Sequence, residues 1–157
     1  MDKQNYENEF AQINKIIECQ NTSTSKEALL LANYSKEKYP YLKNMAQFHN
    51  ILGLINFKLS DFEKSILDFE KSIHINPNFY PGYYNLGLAY FNTSELEKSY
   101  KFLLKSIDIK KDYKLARDKI IELLSFYEPN NSTENEIFDL DQQIKNIPLI
   151  IDFSKKI

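Results

Sequence analysis

The chain has little cysteine, glycine or arginine, and each shortage excludes a class of function. Its single cysteine, Cys19, has no partner for an internal disulfide and no companions for a cysteine zinc site. Three glycines are too few for a glycine-rich phosphate loop. Nucleic-acid binders usually rely on arginine and a basic face, whereas this chain has one arginine and a net charge of −2. We therefore expect no metal, no other cofactor and no nucleic-acid partner.

Long hydrophobic runs are also missing. No apolar stretch approaches the roughly 20 residues that a membrane span needs, so we expect no membrane insertion. The first ten residues, MDKQNYENEF, are polar and lack the basic lead and apolar core of a secretion signal. We therefore expect a cytoplasmic protein, and a length of 157 residues fits one domain.

Convergent titratable groups, which an enzyme requires, are scarce. His49 stands at a position of the helical pattern that packs inward, so it is expected to fill the core. His74 is expected at an exposed helix end. Cys19 has no evident basic neighbour, so a buried thiol is the simpler interpretation than a nucleophile. The chain is therefore predicted not to be an enzyme.

What the chain does contain is an internal repeat. Residues 50–57 read NILGLINF and residues 84–91 read YNLGLAYF, and we call their separation of 34 the repeat period. When 46–79 is aligned with 80–113 without a gap, twelve of the 34 columns are identical. Such a period in helix-patterned sequence predicts a helix-turn-helix solenoid.

Each repeat contains residues that start or stop a helix, and these divide it into two helices. Ser60 and Ser94 each stand three residues before a glutamate, which is the spacing of a capping box, so we predict them as N-caps of the second helices. Proline cannot donate into a continuing helix, so Pro77 predicts the end of the first repeat. The second repeat has Lys110 and Lys111 at the equivalent positions, so its last helix is expected to end less sharply.

This pattern resembles the tetratricopeptide repeat family. The second copy carries its aromatic, Leu-Gly, aromatic and small-residue positions at Tyr83, Leu86, Gly87, Tyr90 and Ser99. The first copy departs from it at two positions, His49 and Asn56. The small residues are expected where two helices approach closely.

Further units flank the two clear repeats. Ala28, Ala32 and Pro40 repeat the spacing of Ser65, Phe69 and Pro77, so residues 8–45 are a degenerate repeat, and its longer distance to the next unit predicts an irregular junction. The predicted fold is all-α, with about three helix pairs, a capping helix and a short tail helix. Its parts are a flexible N-terminus (1–7), the solenoid (8–127, with repeats 8–45, 46–79 and 80–113 and capping helix 114–127), a linker (128–136) and an amphipathic tail (137–157).

The resemblance implies a non-catalytic adaptor or scaffold that binds a protein or peptide in a concave groove lined by the first helix of each pair. Repeats that grip a peptide's C-terminal carboxylate carry a basic and amide set that this chain does not reproduce, because the matching places hold Asn50, Leu54, Asn85, Leu115 and Lys119. The expected groove residues are Gln47, Asn50, Leu54, Lys58, Tyr84, Asn85, Leu88, Asn92, Asp118 and Glu122.

Several alternatives remain open. Asp118 and Glu122 are either a site for a basic ligand group or part of an ordinary solvent-exposed face on which Lys114 and Lys119 neutralise them. Phe57, Leu88 and Phe91 are either groove anchors or core between repeats. The tail could enter the groove, cover the last helix, lead into another domain or mediate self-association. A different class of function is the N-terminal accessory module of a bacterial sulfotransferase or glycosyltransferase whose catalytic part is absent or separate.

Overall fold

The computed structural model describes residues 11, 15, 16 and 25–124, and every regular element in this part is helical. The expected all-α fold is therefore confirmed for these residues. The predicted N-terminus (1–7), linker (128–136), tail (137–157) and Cys19 lie outside the described residues. The elements are α1 (Ser25–Lys38), a 3-10 helix (Pro40–Asn44), α2 (Ala46–Lys58), α3 (Phe62–Ile75), α4 (Tyr80–Asn92), α5 (Leu96–Ile109) and α6 (Lys114–Leu124).

The helices stack as successive pairs. Helix α2 packs on α3, and α4 packs on α5; α3 also contacts α4, α2 contacts α4, and α6 packs on α5. Each helix thus contacts only near neighbours in the chain, which is the contact pattern of a solenoid.

Both complete hairpins turn through the same backbone motif. At the end of α2, the Ser60 amide donates to the Phe57 carbonyl at 3.0 Å and the Asp61 amide donates to the Asn56 carbonyl at 2.9 Å. This pair of hydrogen bonds is a Schellman motif, which requires a left-handed residue after the helix, and Ser60 has φ 60°. The turn after α4 repeats the motif with Ser94 at φ 61°.

The predicted N-caps were therefore wrong by one residue. Asp61 is the N-cap of α3, and its carboxylate accepts from the Lys64 amide at 3.2 Å. Glu95 is the equivalent residue before α5, without a side-chain cap hydrogen bond. The serines cannot fill this position because the tight turn already commits their backbone to the left-handed region.

The glycines allow the paired helices to approach closely, as predicted. A Cβ atom at Gly53 would lie 2.5 Å from the Phe69 ring, and a Cβ at Gly87 would lie 2.8 Å from Leu103 Cγ. Phe69 and Leu103 are fully buried, so neither can move aside easily.

The ends of the two repeats coincide despite their different sequences. Helix α3 stops before Asn76, whose side chain accepts from the Asn78 amide at 3.0 Å. Helix α5 stops at Ile109, one repeat period after Ile75, although no proline follows it.

The degenerate first unit also follows the repeat pattern. Ala28 and Ala32 are fully buried together with Ile16, which is helical. The 3-10 helix lies between α1 and α2, so the irregular first junction is confirmed.

Helix α6 is the last helix of the described stack. Ala116, Ile120 and Leu123 are buried against α5. Arg117 is half-buried. The predicted end of this helix at residue 127 lies outside the described residues.

Candidate functional site

The surface formed by α2, α4 and α6, hereafter the α2–α4–α6 surface, carries all ten of the predicted groove residues. Of the ten, Gln47, Lys58, Asn92, Asp118 and Glu122 are exposed; Leu54, Tyr84 and Leu88 are half-buried; and Asn50 and Asn85 are buried. The surface thus combines partly covered apolar groups with accessible polar ones.

Two of these residues bind one another across successive repeats. The Asn85 side-chain amide donates to the Asn50 side-chain oxygen at 2.7 Å, and both residues are less than a tenth exposed. A carboxamide has two donor hydrogens and two acceptor lone pairs. This bond uses one donor of Asn85 and one lone pair of Asn50, so each side chain retains hydrogen-bonding capacity.

Tyr84 connects α4 with the acidic end of the surface. Its ring packs edge-to-face on Tyr113 with 5.2 Å between centroids. Burial, and then the negative charges of Asp118 and Glu122, raise the pKa of the Tyr84 phenol. The negative charges of the two α6 carboxylates therefore act on the phenol of Tyr84 in α4.

The two acidic residues have different surroundings. Lys119 Nζ lies 2.6 Å from Glu122 Oε2 and 4.8 Å from the centre of the Phe91 ring. Among the described residues, no lysine, arginine or histidine nitrogen lies within 4.0 Å of the Asp118 carboxylate. Neutralisation by lysine is thus observed for Glu122, and by Lys119 rather than Lys114.

The phenylalanines near this surface pack against the core. Phe57 packs against the buried cluster that contains Phe69, and Phe91 packs against the cluster that contains Leu103. This packing supports a core role for both, although both side chains remain half-buried. Leu54 also contacts the first cluster while remaining half-buried.

An aromatic cluster next to Tyr84 was missed in the sequence. Tyr113 packs edge-to-face on Tyr80 at 4.8 Å, and Lys110 Nζ lies 4.9 Å from the centre of the Tyr80 ring. Burial, followed by the charges of Tyr84 and Tyr80, raises the pKa of Tyr113 to about 12. The spacing of four between Tyr80 and Tyr84 was the available signal, because such residues share one helix face.

His49 has a hydrogen-bond partner at one ring nitrogen and a carboxylate near the other. A carbonyl oxygen can only accept, so Nε2 donates to the Lys43 carbonyl at 3.0 Å. Nδ1 faces Asp68 Oδ1 at 3.5 Å, and Asp68 also accepts from the Asn56 side chain at 2.9 Å. His49 is buried, as expected for a core position, and His74 is exposed.

The described residues contain neither a metal cluster nor a membrane helix. No three His, Cys, Asp or Glu side chains in this part of the chain lie close enough together to hold a metal ion. Within the same residues, no helix has both the length and the low polarity needed to cross a membrane.

A second accessible surface involves the second helices of the pairs. Tyr83 borders two open clefts, one of about 600 Å³ with Leu67 and Pro77 in its lining and one of about 490 Å³ with Tyr100 and Phe102. Leu67 is 55% exposed. This surface is the natural comparison for any binding test of the α2–α4–α6 surface.

Comparison with known proteins identifies the repeat. Two sequence models of the tetratricopeptide repeat match residues 46–79 and 69–101. A TPR repeat-containing protein of Borreliella burgdorferi (strain ATCC 35210 / DSM 4680 / CIP 102532 / B31) is 38% identical over 50 residues, which are 32% of this chain and 22% of that protein. The match thus spans about a fifth of the relative's length.

Solved structures share the fold at low identity. The first TPR of Spaghetti (RPAP3) bound to the HSP90 peptide SRMEEVD gives a TM-score of 0.68 at 16% identity and covers 80% of this chain and 94% of that chain. MamA gives 0.68 at 19% identity over 88% of this chain and 80% of that one.

A mutant of the Thermobaculum terrenum O-GlcNAc transferase gives a TM-score of 0.73 at 15% identity over 92% of this chain and 27% of the transferase chain. The repeat period, the paired helices and these matches agree, and residues 46–101 of this chain carry tetratricopeptide repeats.

Proposed function

We propose that this protein is a non-catalytic, cytoplasmic adaptor that binds a peptide or protein segment on the α2–α4–α6 surface. The observation that carries the proposal is the set of half-buried Leu54, Tyr84 and Leu88 on adjacent first helices, with exposed polar groups around them. Partly covered apolar side chains beside polar groups provide both affinity and orientation for a peptide.

The binding mechanism follows from these groups. A partner's apolar side chain would cover the exposed parts of Leu54, Tyr84 and Leu88, and full burial of one such side chain is worth about 1.5–3 kcal/mol before the cost of ordering the peptide. The remaining donor and acceptor capacity of Asn50 and Asn85 would pair with the peptide backbone.

Charge favours a basic group at the α6 end of the ligand. Asp118 is exposed and its charge acts on the Tyr84 phenol, and both a carboxylate and an aromatic face attract a cation. A lysine or arginine next to the apolar anchor would interact with both groups. An internal peptide segment fits better than a C-terminal carboxylate, because Asn50 and Asn85 bind one another and Lys119 is paired with Glu122.

A peptide-bound structural neighbour supports this class of function. The RPAP3 repeat domain is described with the HSP90 peptide SRMEEVD bound. At 16% identity the likeness concerns the fold, so the ligand of this chain has to be found by experiment.

Affinity capture from the native lysate, with mass spectrometry of the retained proteins, tests the proposal. We expect wild-type protein to retain a specific partner that Tyr84→Ala and Asp118→Lys lose. Asp118 is exposed, so its substitution preserves the fold even if loss of the Tyr84 ring destabilises the packing on Tyr113.

Matched substitutions on the other surface provide the control. Tyr34 is 59% exposed on α1 and Leu67 is 55% exposed on α3, so Tyr34→Ala and Leu67→Ala should retain the same partner. A partner that is lost with these controls and retained by Tyr84→Ala and Asp118→Lys would contradict the proposed site. Fractionation of the cells tests the cytoplasmic location.

A second candidate function is the accessory repeat module of a transferase. The O-GlcNAc transferase match supports it, because 92% of this chain aligns with 27% of that enzyme's chain. A catalytic reading frame directly downstream, or a sulfotransferase or glycosyltransferase among the retained proteins, would favour this candidate. If the retained proteins include no transferase and no such frame exists, the adaptor remains the better interpretation.

A further inference from the structure

Helix α6 presents a face that its two equivalents bury. Helices α2, α4 and α6 begin at residues 46, 80 and 114, so each starts one repeat period after the previous one. In α2 the residue against the following helix is Gly53, which faces Phe69; in α4 it is Gly87, which faces Leu103. The equivalent residue of α6 is therefore Ile121.

This face is apolar and accessible in the described part of the chain. Ile121 is 38% exposed, and Leu124 is half-buried. Tyr90 of α4 and Asn56 of α2 stand one and two repeat periods before Leu124, and both of those residues are buried. Leu124 also packs against the cluster of α5 and α6 that contains Ala116 and Ile120, so it lies at the border between that cluster and the face of Ile121.

We propose that residues 133–144 of this chain cover the face of Ile121 and Leu124 as a helix, and so complete a fourth helix pair. The sequence continues the repeat at the same spacing. Thr133 stands one repeat period after the buried Ser99, and Ile137 stands one repeat period after Leu103. A small residue and an aliphatic residue thus recur in the columns that pack against the first helix of each earlier pair.

The segment has the pattern and the length for this position. Ile137, Leu140 and Ile144 recur at helical spacing and give one apolar stripe. Eight residues separate Leu124 from Thr133, whereas three residues (59–61 and 93–95) close each complete hairpin. A connection of about eight residues lies within the usual range for packed helices, so the segment reaches the face without strain.

The fourth pair is more widely spaced than the other two. At Gly53 a Cβ would already lie 2.5 Å from Phe69, whereas α6 carries a whole isoleucine side chain at this place. The covering helix must therefore contact α6 through side chains rather than by close backbone approach. Such a pair is easier to separate than the two glycine-mediated pairs.

Thiol reactivity tests the proposal in the full-length chain. With the native thiol removed by Cys19→Ser, Ile121→Cys and Leu67→Cys are labelled separately with a maleimide. Leu67 is 55% exposed and lies on α3, so it supplies the rate of an uncovered helix position. We expect the thiol at position 121 to react at least about tenfold more slowly than that at 67, at every protein concentration.

Further substitutions identify what covers the face. Ile137→Glu or Leu140→Glu should restore fast labelling at position 121, and helix content by circular dichroism checks that the stack remains folded. In the double variant Ile121→Cys with Ile137→Cys, oxidation should give a disulfide within one monomer. These results would establish the proposed segment as the covering helix.

Three results would overturn the proposal. Equal labelling at positions 121 and 67 would mean that the face is open. Protection that increases with protein concentration, or a disulfide-linked dimer, would assign the face to a second copy of the chain. Protection that is removed by Ile150→Glu and not by Ile137→Glu would assign it to the apolar segment at 147–153.

Discussion

Substitution of Gly53 by alanine tests whether close helix approach holds each pair together. The added methyl gains about 1 kcal/mol of helix propensity. It would also lie 2.5 Å from two atoms of the Phe69 ring, which is fully buried. Overpacking of a filled core costs up to about 3 kcal/mol. We therefore expect a net loss of up to about 2 kcal/mol, or roughly 4–8 °C in Tm for a chain of this size.

Thermal and urea unfolding followed by circular dichroism measure this loss. Gln47→Ala is the control, because Gln47 is exposed on the same helix, and its effect should stay within about 0.5 kcal/mol. Phe69→Leu reproduces the Gly87 and Leu103 pairing, so the cost of Gly53→Ala should be smaller in that background by about 1 kcal/mol. If Gly53→Ala leaves Tm unchanged or raises it, the helix propensity term outweighs the contact and the reasoning fails.

Three further predictions follow from the turns and the tyrosine cluster. Ser60→Gly and Ser94→Gly should each stabilise the protein by up to about 1 kcal/mol in urea unfolding, because glycine adopts the left-handed conformation without the steric cost; a loss would contradict the assigned turn. Asp61→Ala should cost about 1 kcal/mol, whereas Glu95→Ala should cost less, since only Asp61 makes the cap hydrogen bond; equal costs would refute this. Phenolate absorbance should show one tyrosine ionising near pH 12 that is absent in Tyr113→Phe. Its contribution to stability is complete below the unfolded value of about 10 and is lost as pH rises through the folded value; a titration without the late step would contradict the cluster.

The repeat framework was accessible from the sequence because it depends on residue size at fixed spacing. Two Leu-Gly pairs one repeat period apart require two equivalent close contacts, and the structure contains both. The buried Ala28 and Ala32 extended this reasoning to the degenerate unit. Residue size and residue spacing can both be read from one sequence, so these close contacts could be predicted from it.

The sequence-based predictions failed where backbone conformation, or packing between residues far apart in the chain, determines the structure. Ser60 and Glu63 have the spacing of a capping box, yet the left-handed turn moves the cap to Asp61. The Tyr80 and Tyr113 contact joins residues 33 positions apart and depends on how α4 meets the end of α5. The left-handed turn has no local pattern that distinguishes it from a capping box, and the spacing of Tyr80 and Tyr84 shows a shared helix face without identifying Tyr113 as the contact.

The hydrogen bond between Asn50 and Asn85 makes the order of the repeats matter. The two asparagines occupy different columns, since Asn50 aligns with Tyr84 and Asn85 aligns with Ile51. An extra copy of 80–113 inserted after residue 113 would place a tyrosine rather than an asparagine opposite the new Asn85. The repeats of this protein are therefore not interchangeable units, and a lengthened version would need a redesigned amide at every new junction.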